Sequence, residues 1–338
     1  MYQRKISERE AGQRLDRYLY KLLPEAGTGF LHKMLRKKNI TLNDRKAQGR
    51  EVLAAGDKIK LFFAEDTLHK FMGKEPSKAQ DAKESLLWRQ AYERYGNLPI
   101  LYENEHILIV DKPPGLLTQK AKETDISLNE WLAGYLLSKG ELSDDSPAAY
   151  KPAACNRLDR NTSGIVLCAK SVRGAQLLGD LLKKRTLHKY YRLYVSGHVE
   201  NSQTIEGYLT KDEVHNKVTI RKNSPDKEQT ASYIKTRYQP LKQETDKTLL
   251  EVELITGKPH QIRSHLASIG HPLLGDYKYG DKAWNDRYKK ACRIETQILH
   301  ACRVEFPELE APFADLSRRV FSADMPPVFA QAAAITFD

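Results

Sequence analysis

Apolar positions recur with helical spacing twice near the start of the chain. In RLDRYLYKLL (residues 14 to 23) Leu15, Leu19 and Leu22 share one face, and in GFLHKMLRKK (29 to 38) Leu31 and Leu35 do so ahead of a basic end. Each pattern predicts a short helix whose apolar stripe must pack on something. The period then changes. After a turn signal at Asn43-Asp44, Ile59, Leu61 and Phe63 alternate with Lys60 and Phe62, as they would in a strand. Residues 1–64 therefore read as a small α+β module.

From residue 65 to 96 the period is lost in a polar, lysine-rich stretch that reads as a linker with one helix around Ser85 to Tyr95. A larger unit, residues 97–338, follows. ILIV (107–110) ends in the breaker Asp111-Lys112-Pro113-Pro114-Gly115, and GIVLCA (164–169) is a continuous apolar run. YRLYV (191–195) alternates, and LLEVELITG (249–257) sets Leu250, Val252 and Leu254 against Glu251 and Glu253. All four predict strands. Helical spacing appears at 174–185, through Leu177, Leu178, Leu181 and Leu182, and at 260–269, through Ile262, Leu266 and Ile269, where Gly270 stops it. A strand, a helix and then runs of strands predict an α+β domain rather than a doubly wound sheet.

Charge adds a partner to this picture. The 338 residues carry 55 Lys and Arg against 44 Asp and Glu, a net charge of +11. Fifteen basic and seven acidic residues fall within residues 1–63, so most of the excess sits in the first module. A local excess of that sign points to a polyanion, nucleic acid first. The chain shows neither an apolar run of membrane-spanning length nor the apolar core of a signal peptide, and a cytoplasmic protein is expected. Cys155, Cys168, Cys292 and Cys302 form no CxxC pair and no zinc spacing. Free thiols are expected, without disulfides or a structural metal.

Three polar clusters interrupt the apolar elements. Arg157, Asp159 and Arg160 precede a Thr162-Ser163-Gly164 turn; Lys189, Tyr190 and Tyr191 open a strand; and residues 257–265, GKPHQIRSH, start a helix. A carboxylate, a phenol and a guanidinium on separate element ends can converge on one pocket. Each also has an ordinary reading. Asp159 fits a turn acid satisfied by Thr162 or Ser163. Tyr191 fits a core aromatic sharing a face with Leu193 and Val195, and Arg263 fits a surface or capping arginine. His260, His265 and His271, five and six residues apart, match no common zinc motif.

Order and wording go further. NRLDRNTSGIVLCAK (156–170) resembles the HRLD-x-x-TSG-x-x-x-x-AK signature of the RluA family of pseudouridine synthases. KPPG (112–115), RTLHKYY (185–191), TGKPHQIRSHLASIGHPLLGDYKYG (256–280) and ILHA (298–301) resemble the family's other motifs in the family's order. The N-terminal module is similar to an S4 RNA-binding domain. The resemblance implies an α+β catalytic fold with a mixed, mostly antiparallel sheet, and a cofactor-independent isomerisation of uridine in RNA, ribosomal RNA of the large subunit before transfer RNA. It implies Asp159 as the catalytic carboxylate, Arg263 as its ion-pair partner, and Tyr191 stacked on the uracil and assisting removal of the C5 proton. Arg157 would brace the space vacated by a flipped base. Lys112, Lys183, Lys184, Arg185 and Lys189 would contact phosphates, and Arg14, Arg17, Arg36, Lys37 and Lys38 would bind RNA from the S4-like module. A monomer is expected. Asn156 stands where the family most often has His, and Lys258-Pro259 where it has Arg-Thr. The other reading is a non-catalytic RNA-binding or ribosome-assembly factor that keeps the fold.

Overall fold

A computed structural model describes residues 1–72, 78–142, 150–212, 217–221 and 231–337. The chain divides into two compact units: Met1–Ile109, Gln119–Asn156 and Leu167–Asp180 form the first, and Val110–Thr118, Arg157–Val166 and Leu181–Asp338 the second.

In the first unit, strands Tyr2–Lys5, Lys58–Leu61, Ile40–Leu42 and Arg45–Lys46 form an antiparallel sheet in that order. Asn43 and Asp44 both adopt positive φ, 51° and 62°, as the tight hairpin between the last two strands requires. Helices Leu15–Leu22 and Thr28–Arg36 lie where the spacing predicts them. Leu15, Leu19, Leu31, Leu35, Ile59 and Leu61 are buried together, each worth about 1.5–3 kcal/mol of transfer free energy. Tyr18 and Leu23 complete the stripe, Leu22 is only half-buried, and Phe62 is exposed.

The stretch expected to link the modules is more ordered than its polarity suggests. It contains helices Glu65–Met72 and Lys78–Tyr95. The ring of Phe71 lies 4.5 Å from that of Phe30, on the core of the N-terminal module. The second helix presses on helix Leu128–Ser138, where a Cβ on Gly134 would sit 2.1 Å from the carbonyl oxygen of Trp88. Leu128–Ser138 is buried on nearly every side and starts from a capping box of Ser127 and Glu130.

The second unit is built on a sheet with strands in the order Lys217–Arg221, Gln203–Asp212, Ala231–Gln243, Lys247–Leu254, His188–Ser196, Leu299–Glu305 and Ser163–Ala169. The pairings are antiparallel except the last. Its inner strand His188–Ser196 buries Tyr191, Leu193 and Val195 on one face, with Tyr191 in register between Val252 and Ala301. The parallel pairing brings the strand after Asp159 very close to Leu299–Glu305. A Cβ on Gly164, whose φ is +109°, would lie 2.3 Å from the carbonyl oxygen of Ala301, so no larger residue fits there.

Candidate active site

Asp159 sits in a turn ahead of strand Ser163–Ala169, closed by Thr162 N–H donating to the Asp159 carbonyl at 3.1 Å. The loop is braced from two sides. The Thr118 hydroxyl accepts from Leu158 N–H at 3.1 Å and donates to the Leu158 carbonyl at 2.9 Å. Lys112, fully buried, donates its ammonium to the carbonyls of Pro113 (2.9 Å), Leu116 (2.8 Å) and Arg160 (3.2 Å). Lys112 thus joins the KPPG turn to the loop carrying Asp159 and does not present itself to a phosphate, which corrects the role expected for it. Burial brings its pKa down to about 7, against the pull of Asp159 and Asp111.

The Asp159 carboxylate is satisfied neither by Thr162 nor by Ser163. The Ser163 hydroxyl pairs with His300 Nδ1 at 2.9 Å, and Thr162 Oγ1 is buried without a hydrogen-bond partner. Arg263 Nη1 donates to Asp159 Oδ2 at 2.9 Å instead. The rest of that guanidinium forks onto Asp276, Nε to Oδ2 at 2.7 Å and Nη2 to Oδ1 at 2.9 Å, and lies 5.3 Å from the centre of the Tyr279 ring. Arg263 is therefore a buried arginine on helix Gln261–Ser268, not a surface one. Burial alone would lower its pKa, but hydrogen bonds and charge from Asp276, and then Asp159, outweigh burial and raise it. Asp276 is in turn held below the usual carboxylate range, because Arg263 overcomes the opposing effect of burial.

The two acids differ in access. The Asp276 side chain is 1% exposed and the Asp159 side chain 27%. Asp159 faces an open cleft lined also by Arg157, Thr162, Tyr191, Lys258 and His260, with Leu158, Leu254, Ile262 and Leu299 as apolar wall. Tyr191 is buried, yet its hydroxyl makes no hydrogen bond to any described residue. Burial first, and the Asp159 carboxylate second, push its pKa up, so it is a neutral phenol. Asp159, Tyr191 and Arg263 thus meet at one cleft. Asp276, Tyr279 and the packing of His260 against them were not anticipated, although all three residues lie inside the motif at 256–280.

The remaining expected RNA contacts fall in different settings. Arg157 is exposed at the cleft, Arg185 is exposed, and Lys189 is half-buried, with its pKa lowered by burial and then by Arg185. Arg14, Arg17, Arg36, Lys37 and Lys38 are exposed on the N-terminal module, and Arg14 is ion-paired with Asp16. Asn156 accepts a hydrogen bond from Leu167 N–H at 2.7 Å. His265 Nδ1 lies 3.0 Å from the Thr236 hydroxyl. Among the described residues no group of three His, Cys, Asp or Glu side chains could hold a metal ion, and no helix is long and apolar enough to cross a membrane.

The family profile described as RNA pseudouridylate synthase matches residues 106–268. A Rickettsia bellii protein named ribosomal large subunit pseudouridine synthase C is 30% identical over 79% of this chain and 83% of its own. A Vibrio vulnificus protein of the same name is 29% identical over 91% of this chain and 89% of its own. The chain belongs to the RNA pseudouridylate synthase family. The fold is shared with the solved human RNA pseudouridylate synthase domain containing 4, at a TM-score of 0.57 and 22% identity over 75% of this chain and 96% of that one.

Proposed function

We propose that this RNA pseudouridine synthase acts on ribosomal RNA of the large subunit, with Asp159 as its catalytic carboxylate, Arg263 as the ion-pair partner that fixes it, and Tyr191 as the phenol against the uracil. The observation that carries the reading is the asymmetric pair of acids on Arg263. One is sealed and holds the guanidinium, and the other is open to a cleft with an unpaired phenol in it. The substrate class rests on the names of the relatives, and a cytoplasmic location fits it.

In the reaction the N1–C1′ bond of uridine breaks, the uracil turns, and a C5–C1′ bond forms. C5 loses its proton and N1 gains one, so the composition is unchanged and no cofactor enters the balance. A carboxylate can serve by attacking C1′ or by taking a proton from the sugar, and both need it held at the ribose. Arg263, anchored through two bonds to Asp276, supplies that hold and a charge to oppose the carboxylate in a partly dry site. Tyr191, neutral, offers a flat apolar ring for stacking and a hydroxyl near C5, where it assists proton removal through water. The target base must leave its stack to reach Asp159, at a cost of a few kcal/mol, and Arg157, exposed at the cleft, braces the gap in this reading.

In this reading residues 1–64 form an S4-like RNA-binding module, 65–96 join it to the rest, and 97–338 carry the catalysis. Arg14, Arg17, Arg36, Lys37 and Lys38 on the module, with Arg185 and Lys189, supply phosphate contacts that select a region of RNA without reading its sequence. The test is release of tritium from RNA labelled at uracil C5, taken from cells lacking the gene and separated into ribosomal and transfer fractions. Release from large-subunit RNA by the natural enzyme and not by Asp159→Asn is expected. Release only from the transfer fraction would overturn the substrate, and an active Asn variant would overturn the role of Asp159.

A further inference from the structure

We propose that His260 is a positioning residue for Asp159: it is held in a single tautomer whose Nε2–H is directed at the carboxylate, so that Asp159 presents one defined oxygen to the ribose. The proposal rests on the role given to Asp159 above. No bond is made or broken by His260.

His260 precedes helix Gln261–Ser268 in the left-handed backbone region, with φ 54°. A residue with a side chain adopts that conformation at a cost, and neighbouring bonds must hold it there. The Gln261 side chain does so, accepting from Lys258 N–H at 3.1 Å and from the Thr256 hydroxyl at 2.9 Å while donating to the Lys235 carbonyl at 3.1 Å. The imidazole is consequently set into the cleft wall, its side chain 17% exposed.

The ring's two nitrogens have different neighbours. Nδ1 lies 2.8 Å from the Tyr279 hydroxyl, whose oxygen also accepts from Val218 N–H at 3.2 Å. Burial raises the pKa of Tyr279, so its hydroxyl keeps its proton, and Nδ1 is the acceptor for it among the described residues. Were Nδ1 protonated, the Tyr279 oxygen would receive two N–H groups while its own proton had no acceptor among the described residues. The proton of the neutral ring therefore belongs on Nε2. Nε2 lies 3.9 Å from Asp159 Oδ2, within about 1 Å of hydrogen-bond length. Burial and the cations Arg263 and Lys278 lower the pKa of the ring, against Asp159 and Asp276. With Arg263 and His260 both on the Oδ2 side, Oδ1 is the oxygen left for substrate.

Substitution separates this from a purely structural role. The amide nitrogen of Gln reaches the place of Nε2, and Ala supplies no donor. His260→Ala is expected to lower kcat at least about tenfold at unchanged KM, the worth of one hydrogen bond to a charged group. His260→Gln should recover most of that loss. Equal impairment of both variants, or a loss confined to KM, overturns the proposal. A second measurement needs no turnover: proton–nitrogen spectra of the full chain labelled in histidine, with His260 assigned by its disappearance in His260→Gln. A neutral ring protonated on Nε2 at pH 7, and loss of that single state in Tyr279→Phe, is expected. A ring protonated on Nδ1, or doubly protonated, overturns the proposal even if no RNA offered is a substrate. Absence of tritium release by the natural enzyme, by contrast, would count against the functional reading alone.

Discussion

Two clusters in the second unit share one composition: a buried cation between two acids, set against tyrosine. In the cleft, Arg263 joins Asp159 and Asp276 beside Tyr279. Behind strand Lys247–Leu254, Lys247 pairs with Glu244 at 2.7 Å and approaches Asp246 at 3.7 Å, with the rings of Tyr194 and Tyr288 at 5.7 and 5.3 Å. The second cluster is closed. Lys247 is fully buried and also donates to the Ile335 carbonyl, and Asp246 accepts from Trp284 Nε1 and the Tyr288 hydroxyl at 2.8 Å. It pins residues near 335 to the sheet and offers nothing to a ligand. A buried ion triad is thus not by itself a sign of catalysis, and its net worth for stability is small or negative beside an apolar replacement of like shape. What sets the cleft apart is that one of its acids is left open beside an unpaired phenol.

Substitutions sharpen that contrast. The largest effect is expected from Asp159→Asn, which removes the open charge without changing shape. Turnover should fall by at least about 10²-fold while thermal unfolding and RNA affinity stay near those of the natural protein. Arg263→Met should damage both properties, because it leaves the sealed Asp276 without its partner; a loss of about 3–5 kcal/mol in stability is expected, measured by denaturant unfolding, together with lost tritium release. Lys247→Met should cost a similar amount of stability through stranded Glu244 and Asp246, yet kcat of the folded fraction should be unchanged. If Lys247→Met lowered kcat as Arg263→Met does, the two clusters would not differ in the way described.

Acid should produce the most general effect, one of stability and not of chemistry. His265 and His300 are buried, and burial lowers the pKa of each from 6.5 to about 4. Between those values the unfolded chain binds protons that the folded chain refuses. The stability they confer is therefore complete above pH 6.5 and declines as pH falls toward 4, by at most about 1.4 kcal/mol per pH unit for each histidine. Thermal unfolding of His265→Asn and His300→Asn variants across that interval should show a shallower decline, whatever intrinsic destabilisation each carries.

Elements with a clean period were legible in the sequence. Helices at 15–22 and 28–36 and the strands around 107, 164, 191 and 249 all appear where spacing placed them. Strand Ala231–Gln243 was hidden because Pro240 interrupts its alternation, at the point where pairing with Lys247–Leu254 shifts register. Helix Leu128–Ser138 was hidden for the opposite reason: apolar on nearly every side, it has no face to detect. Lys112 read as a phosphate contact because nothing local announces the Leu116 and Arg160 carbonyls that enclose it. The three residues that meet at the cleft were singled out by wording, but the bond from Arg263 to Asp159 spans 104 positions and no periodicity encodes it. Asp276 shows the same limit at shorter range, since an acid after a glycine has many uses and only the fold selects one.

Gly164 also sets a schedule. By lying against Ala301, with Ser163 bonded to His300 across 137 positions, it makes the turn that holds Asp159 depend on a strand translated much later. At roughly 5–20 residues per second a ribosome needs on the order of ten seconds to cover that distance. Throughout that interval the nascent chain can expose its finished N-terminal module while the carboxylate lacks its supporting strand. With the module binding RNA as proposed, capture precedes chemical competence during synthesis.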